Sequence, residues 1–428
     1  MLFLLISRSL LFAFTALGLE SVVWRAVCFA IVLCFALADT PSTRTGNGYF
    51  DYMMGTNLGM TVLQGMHHLL LRRPLEEFRH ESDKVPAYRL PFVQRFFWIA
   101  SISHRGIGWS FKASMNYMSR YFDDHPIPVD PRHRTRRAFI ISRLRTAFAF
   151  YWLFEAAHLY TRANPVFSTE ASLALQGYIL QCVNVIAFLS YPYAYLNCCH
   201  SLVAVVAVAT NLSQPQTWPY LFGYWKDGYT IRRFWARTWH QICRHLVTIF
   251  GPHRYNQRPW DENPTKDPSI RKSKEPWLRA YLRICNAFLC SALLHVCGEF
   301  VLQFSIWENH ISSGSLSPTR VYPPFVMGVS APLFLFQPLG VLVEEAVIAV
   351  GKRLGVKTGM WTKLIGYAWV WVWMSLSTIS SLDGLKNAVH VASPIHEWGS
   401  GPTVIERIIG KIFDVDLLSI ISSWFSRV

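Results

Sequence analysis

The sequence predicts an all-α, polytopic integral membrane protein, and two observations carry that prediction. Of 428 residues, 52% are hydrophobic and only 16% charged, and mean hydropathy is +0.22. Several apolar runs are also long enough to cross a bilayer, which takes about 20 helical residues.

The clearest run extends from Ala171 to Trp225 without Asp, Glu, Lys or Arg, and it is expected to hold two helices hinged near Pro192. Val321–Val343 and Leu364–Leu382 are likewise uncharged, while Cys285–Trp307 carries Glu299 and His295 in an otherwise apolar stretch. Weaker spans are expected at Leu2–Leu19, Val22–Ala38, Met53–Leu71 and Phe139–Thr161, interrupted by Arg8, Arg25, His67/His68 and Glu155. The total is about eight or nine spans. The first apolar run has no basic segment before it and no small-x-small cleavage site after it, and a second run follows directly, so it reads as an anchor and not a removed leader. Three regions are expected: anchor spans over 1–50, a core over 51–385 and an amphipathic tail over 386–428.

Formal net charge is +15, with Lys and Arg concentrated between spans at 72–89, 132–137, 232–244, 271–283 and 352–353. This is the pattern of cytoplasmic loops under the positive-inside rule. Nucleic acid is not an expected partner, because these basic runs lack the fold context of a nucleic-acid binder. The lipid bilayer is one, and some of these cations suit an anionic cosubstrate. The nine cysteines include no CxxC pair, and most lie inside apolar runs as small core residues. The polar stretch 251–275 reads as an extramembrane loop, and Asn211-Leu212-Ser213 forms a glycosylation sequon.

Chemistry points first to FLCSALLHVCGEF. Ser291, His295 and Glu299 are four residues apart and share one helix face, and an ionisable group inside a span is by default a functional candidate. The bland alternative is a neutral histidine satisfied by helix packing. Upstream, Thr230–Gln241 alternates cations with aromatics: Arg232, Arg233, Trp235, Arg237, Trp239 and His240. Such a segment suits the headgroup zone, and the sharper reading gives His240 a place beside His295.

Rival chemistries fit less well. No HxxxH or HxxHH box occurs among the fifteen histidines, so di-iron chemistry is not expected, and His67/His68 have no matching pair to complete a metal site. His125–Asp130 has the spacing of an HxxxxD acyltransferase motif, but two prolines intervene in a polar loop. A proton-coupled transporter would use buried His and Glu, yet no inverted repeat or matched pair of broken spans is evident.

Phe234–Gln241 (FWARTWHQ) and Ser291–His295 (SALLH), with Arg105–Trp109 (RGIGW) and Phe334–Ala346 (FLFQPLGVLVEEA), resemble the membrane-bound O-acyltransferase superfamily. Within it they are most similar to the wax-synthase-like branch of fungal terpenoid and meroterpenoid pathways. Thr238 departs from the Arg-Trp-His of that branch. The resemblance covers roughly 51–382 and implies a helical bundle around a tunnel and acyl transfer from acyl-CoA to a hydroxyl, without metal or bound cofactor. For that reaction the expected roles are His295 as base, His240 as a second donor, Glu299 one turn on fixing the His295 tautomer, with Ser291 in support, and Arg232, Arg233, Trp235, Arg237 and Trp239 at acyl-CoA. The expected reaction is O-acetylation of a hydrophobic terpenoid-like alcohol in the endoplasmic reticulum membrane. Long-chain wax ester synthesis is the alternative.

Overall fold

The computed structural model describes residues 2–38, 45, 47–80, 82–102, 109, 135–243, 246, 277–312, 325–392 and 402–425. Among these residues the regular structure is helical, with one isolated β-bridge between His80 and Trp109. The principal helices are α1 (Leu2–Leu17), α2 (Val22–Ala38), α3 (Gly48–Gly65), α4 (Phe92–Ala100), α5 (Arg136–Ala163), α6 (Tyr178–Ala209), α7 (Trp277–Ser312), α8 (Gln337–Arg353), α9 (Met360–Ser377), α10 (Ile379–Ala392), α11 (Val404–Phe413) and α12 (Leu417–Phe425).

Three described helices are long and apolar enough to cross a membrane: Tyr178–Ala209, Trp277–Glu308 and Ala331–Arg353. The sequence reading of Ala171–Trp225 needs correction, because α6 is one 32-residue helix with Pro192 inside it. At 1.5 Å per residue it is about 48 Å long, and a proline is tolerated in a buried apolar helix where neighbouring groups re-satisfy the freed carbonyl. The expected span Leu364–Leu382 is also divided, since α9 ends at Ser377 and α10 begins at Ile379. Helix α5 covers the expected Phe139–Thr161, but its Arg143, Arg145 and Glu155 make it less apolar than those three.

The chain forms two compact units. In the first (1–45, 50–125 and 242–305), α1 and α2 form a hairpin around Leu11, Cys28, Val32 and Leu69. Gly18 closes α1 at φ +67°, a left-handed conformation that a side chain would strain. Helix α3 widens into an i→i+5 turn over Met66–Leu71. The buried Arg25 guanidinium donates to the carbonyls of Leu69 at 2.5 Å, Leu70 at 3.0 Å and Arg72 at 3.2 Å, satisfying acceptors that the helix end leaves open. His67 and His68 are buried beside Phe78, with His67 stacked on its ring at 5.7 Å.

In the second unit (46–49, 126–241 and 306–428), α5 and α6 form a long hairpin. Its turn is held by buried amides: the Tyr160 hydroxyl donates to Asn184 at 2.7 Å, and Asn164 donates to Asn184 at 2.9 Å and to Gln176 at 3.0 Å. Lys386 on α10 is fully buried and donates to the carbonyls of Val166, Thr169 and Ala171 at 2.8, 3.0 and 2.5 Å, which fixes the loop after α5. Helix α11 is tied to α5 by the Arg162–Glu406 ion pair at 2.8 Å and by Glu155, which accepts from the Val404 amide at 2.7 Å.

Candidate active site

Within the first unit, Ser291, His295 and Glu299 follow one another along α7 as their spacing requires. The Ser291 hydroxyl folds back onto the Ala287 carbonyl at 2.9 Å, Glu299 is fully buried, and His295 is half-buried.

A contact absent from the sequence reading locates His295. Helix α3 crosses α7 where both lack side chains: a methyl on Gly55 would lie 2.4 Å from the Cys297 carbonyl oxygen and 2.7 Å from the Gly298 Cα. A methyl on Gly298 would lie 2.8 Å from the Tyr52 carbonyl. Small residues at i and i+4, here Gly55 and Gly59, let the backbones approach this closely. That approach brings the Tyr52 hydroxyl into hydrogen-bond contact with His295 Nδ1, with the rings tilted at 36° and 5.9 Å apart.

The neighbouring Asp51 is buried and fastens the same end of α3, accepting from Ser305 Oγ at 2.8 Å and from the Thr45 amide and hydroxyl at 2.6 and 2.8 Å. Sequence reasoning passed over Asp51 and Tyr52. The available signal was an Asp-Tyr pair one turn before a small-xxx-small pattern, Gly55 to Gly59.

The second unit builds the other element. Thr230 caps the short helix Ile231–Arg233, accepting from the Arg233 amide at 3.1 Å. The chain then widens into an i→i+5 turn over Phe234–Thr238, closed by the Trp239 amide on the Phe234 carbonyl at 2.8 Å. Helix α8 grips this element through the Phe334–Ala346 motif. Glu344 accepts from the Ile231 amide at 2.6 Å, Glu345 pairs with Arg232 at 2.5 Å, and Gln337 accepts from Trp235 Nε1 at 3.0 Å. Gly340 permits the close packing, since a methyl there would meet Trp373 at 2.4 Å and Ile231 at 2.7 Å.

Arg233 stacks over the Tyr229 ring at 4.6 Å. Thr238, the departure from the branch pattern, is buried and donates to the Tyr224 carbonyl at 3.2 Å. His240 lies against Phe222 and Trp239, each ring 5.8 Å away, and its Nδ1 has no hydrogen-bond partner among the described residues. Burial pushes this imidazole down to about 4, so it is neutral at physiological pH.

The structure thus groups Arg232, Arg233, Trp235, Arg237, Trp239 and His240 in one element and Ser291, His295 and Glu299 on one helix face. Of the RGIGW motif only Trp109 is described, packed against Trp98 at 4.9 Å. Arg105–Gly108, His125–Asp130 and 251–275 lie outside the described residues.

Residues 218–314 match the model of the membrane bound O-acyl transferase family, a stretch that contains both His240 and His295. The chain is 26% identical to acetyltransferase ple2 of Rhodocybe pseudopiperita, covering 78% of each chain. It is also 26% identical to acetyltransferase eriL of Hericium erinaceus, covering 82% of each, and to acetyltransferase sirH of Leptosphaeria maculans, covering 85% of this chain and 86% of the relative. No solved structure matches the chain.

Proposed function

We propose that this chain, which matches the membrane bound O-acyl transferase family over 218–314 and is similar to acetyltransferases over most of its length, is an acyl-transferring enzyme that moves an acetyl group from acetyl-CoA to a hydroxyl of a hydrophobic, terpenoid-like alcohol. The observation that carries this reading is the family match over 218–314, which holds both candidate histidines, joined to relatives that are named acetyltransferases and align over most of their length.

In this reading His295 is the general base. A neutral imidazole accepts the alcohol proton as the oxygen attacks the thioester carbonyl, and the thiolate of coenzyme A leaves. His240, held neutral, donates toward the developing oxyanion. Glu299 and Ser291 support the His295 face. Arg232, Arg233 and Arg237 meet the coenzyme A phosphates, with Trp235 and Trp239 against the nucleotide or acyl chain. The proposed core spans 51–385, in a bundle of eight or nine spans around a tunnel that excludes water from the thioester. Residues 1–50 serve as anchor and 386–428 as an amphipathic tail. The proposed setting is the endoplasmic reticulum membrane, where an apolar acceptor partitions into the bilayer and is concentrated there.

The test is a competition in microsomes between labelled acetyl-CoA and palmitoyl-CoA, with a hydroxylated terpenoid and hexadecanol both offered. Label is expected in the acetylated terpenoid. Label chiefly in palmityl palmitate overturns the donor and acceptor assignment in favour of wax ester synthesis.

A further inference from the structure

We propose that Tyr52 is a positioning residue for His295, holding the imidazole in the tautomer whose Nε2 accepts the alcohol proton; this rests on His295 being the base. The Tyr52 side chain is buried and its hydroxyl meets His295 Nδ1. A neutral imidazole carries one proton, so the atom bonded to Tyr52 determines what the other can do. If the phenol donates to Nδ1, the ring proton sits on Nε2 and that atom cannot act as a base. If Nδ1–H donates to the phenol oxygen, Nε2 keeps its lone pair. Base catalysis therefore requires the second arrangement, with Tyr52 Oη as acceptor. When the alcohol proton moves to Nε2 and the alkoxide oxygen bonds to the thioester carbon, both ring nitrogens carry protons. Tyr52 then keeps its own proton and stabilises the imidazolium through Nδ1–H.

The crossing helices make this geometry rigid. Gly55 and Gly298 leave no space for α3 to slide across α7, because a methyl on either meets backbone of the other helix within 3 Å. Asp51, bonded to Ser305 and Thr45, fixes the same turn of α3. Along the chain, Asp51 adjoins Tyr52 on α3, Cys290, Cys297 and Glu299 lie within five positions of His295 on α7, and Cys243 packs near Leu63, Cys290 and Leu294.

The experiment compares wild type, Tyr52→Phe and His295→Ala in microsomes, with membrane insertion checked by fluorescence-detected size exclusion. Tyr52→Phe keeps the ring and removes only the hydroxyl. The expected result is a kcat lower by about ten-fold or more, donor and acceptor KM within about two-fold, and an acid limb of kcat moved to lower pH. That direction follows because an acceptor at Nδ1 favours the protonated ring, and its loss makes the ring harder to protonate. Wild-type kcat with an unmoved limb, while His295→Ala is inactive, overturns the role of Tyr52 and leaves the base assignment standing. A limb moved to higher pH also overturns it, since that is the signature of Tyr52 donating to Nδ1. Activity in a well-inserted His295→Ala removes the base itself and the tautomer argument with it.

Discussion

Gly55 and Gly298 meet at the crossing of α3 and α7, and the distances there leave no volume for a methyl group: 2.4 Å to the Cys297 carbonyl oxygen from one side and 2.8 Å to the Tyr52 carbonyl from the other. Overpacking a closed contact of this kind costs about 1–3 kcal/mol. Gly298→Ala is therefore expected to lower thermal stability and, by displacing Tyr52 from His295, to reduce kcat at least ten-fold. Thermal denaturation followed by size exclusion, with turnover on the surviving fraction, measures both. A variant with normal stability and activity would show that the two helices separate readily.

How much of this site was legible in the sequence depended on whether a contact lay within one element or between two. Val22–Ala38 is an apolar run broken only by Arg25, and α2 has those bounds. The Ser291–His295–Glu299 face followed from helical periodicity alone. Pro192 misled because a proline reads as a break, whereas α6 continues through it. Tyr52 was invisible because its partner lies 243 positions away, and only the tertiary packing of two glycine-bearing helices brings them together. The grip of Glu344, Glu345 and Gln337 on residues 231–235 belongs to the same class: both motifs were recognisable, but not that one holds the other.

Gln337 is fully buried, accepts from the indoles of Trp235 and Trp373 at 3.0 and 3.3 Å, and donates to the Leu333 carbonyl at 2.7 Å. Replacing it with Leu leaves two indole N–H groups and a carbonyl without this partner, and each unsatisfied buried group costs about 1–3 kcal/mol. Gln337→Leu is expected to lower Tm by several degrees and to loosen the Phe234–Thr238 turn, so that activity falls as well. Gln337→Glu, which keeps the acceptor oxygens, should retain more of both. Equal behaviour of the two variants would place the sensitivity in side-chain volume and not in hydrogen bonding.

His240 gives a pH-dependent signature. Its folded-state value of about 4 lies below the ordinary histidine value of 6.5 because burial disfavours the charged ring. Between those values the unfolded chain binds a proton that the folded protein does not, so stability rises with pH there. The contribution is complete above about pH 6.5, falls as pH drops, and levels off below about pH 4. His240→Asn removes the titration, and its Tm should change less between pH 7 and pH 4.5 than that of the wild type. Identical acid sensitivity in the two proteins would mean that His240 is not desolvated.

The arginines of the same element are placed to act on the acyl donor. Arg232 is engaged by Glu345 at 2.5 Å and Arg233 lies over Tyr229, so both guanidinium groups are oriented by neighbours. The planar, forked guanidinium suits bidentate contact with a phosphate. Arg232→Gln, Arg233→Gln and Arg237→Gln are each expected to raise the donor KM about five- to ten-fold and to leave the acceptor KM unchanged. Glu345→Gln provides the counter-test, because it removes the competing carboxylate and keeps the arginine. Its donor KM should stay level or fall, although stability drops with the loss of an ion pair whose side chains are only 18% and 25% exposed. Steady-state rates over a range of acetyl-CoA at fixed acceptor distinguish the outcomes. A donor KM unmoved by all three arginine variants would remove them from the coenzyme A site and leave them as the basic residues that set membrane orientation.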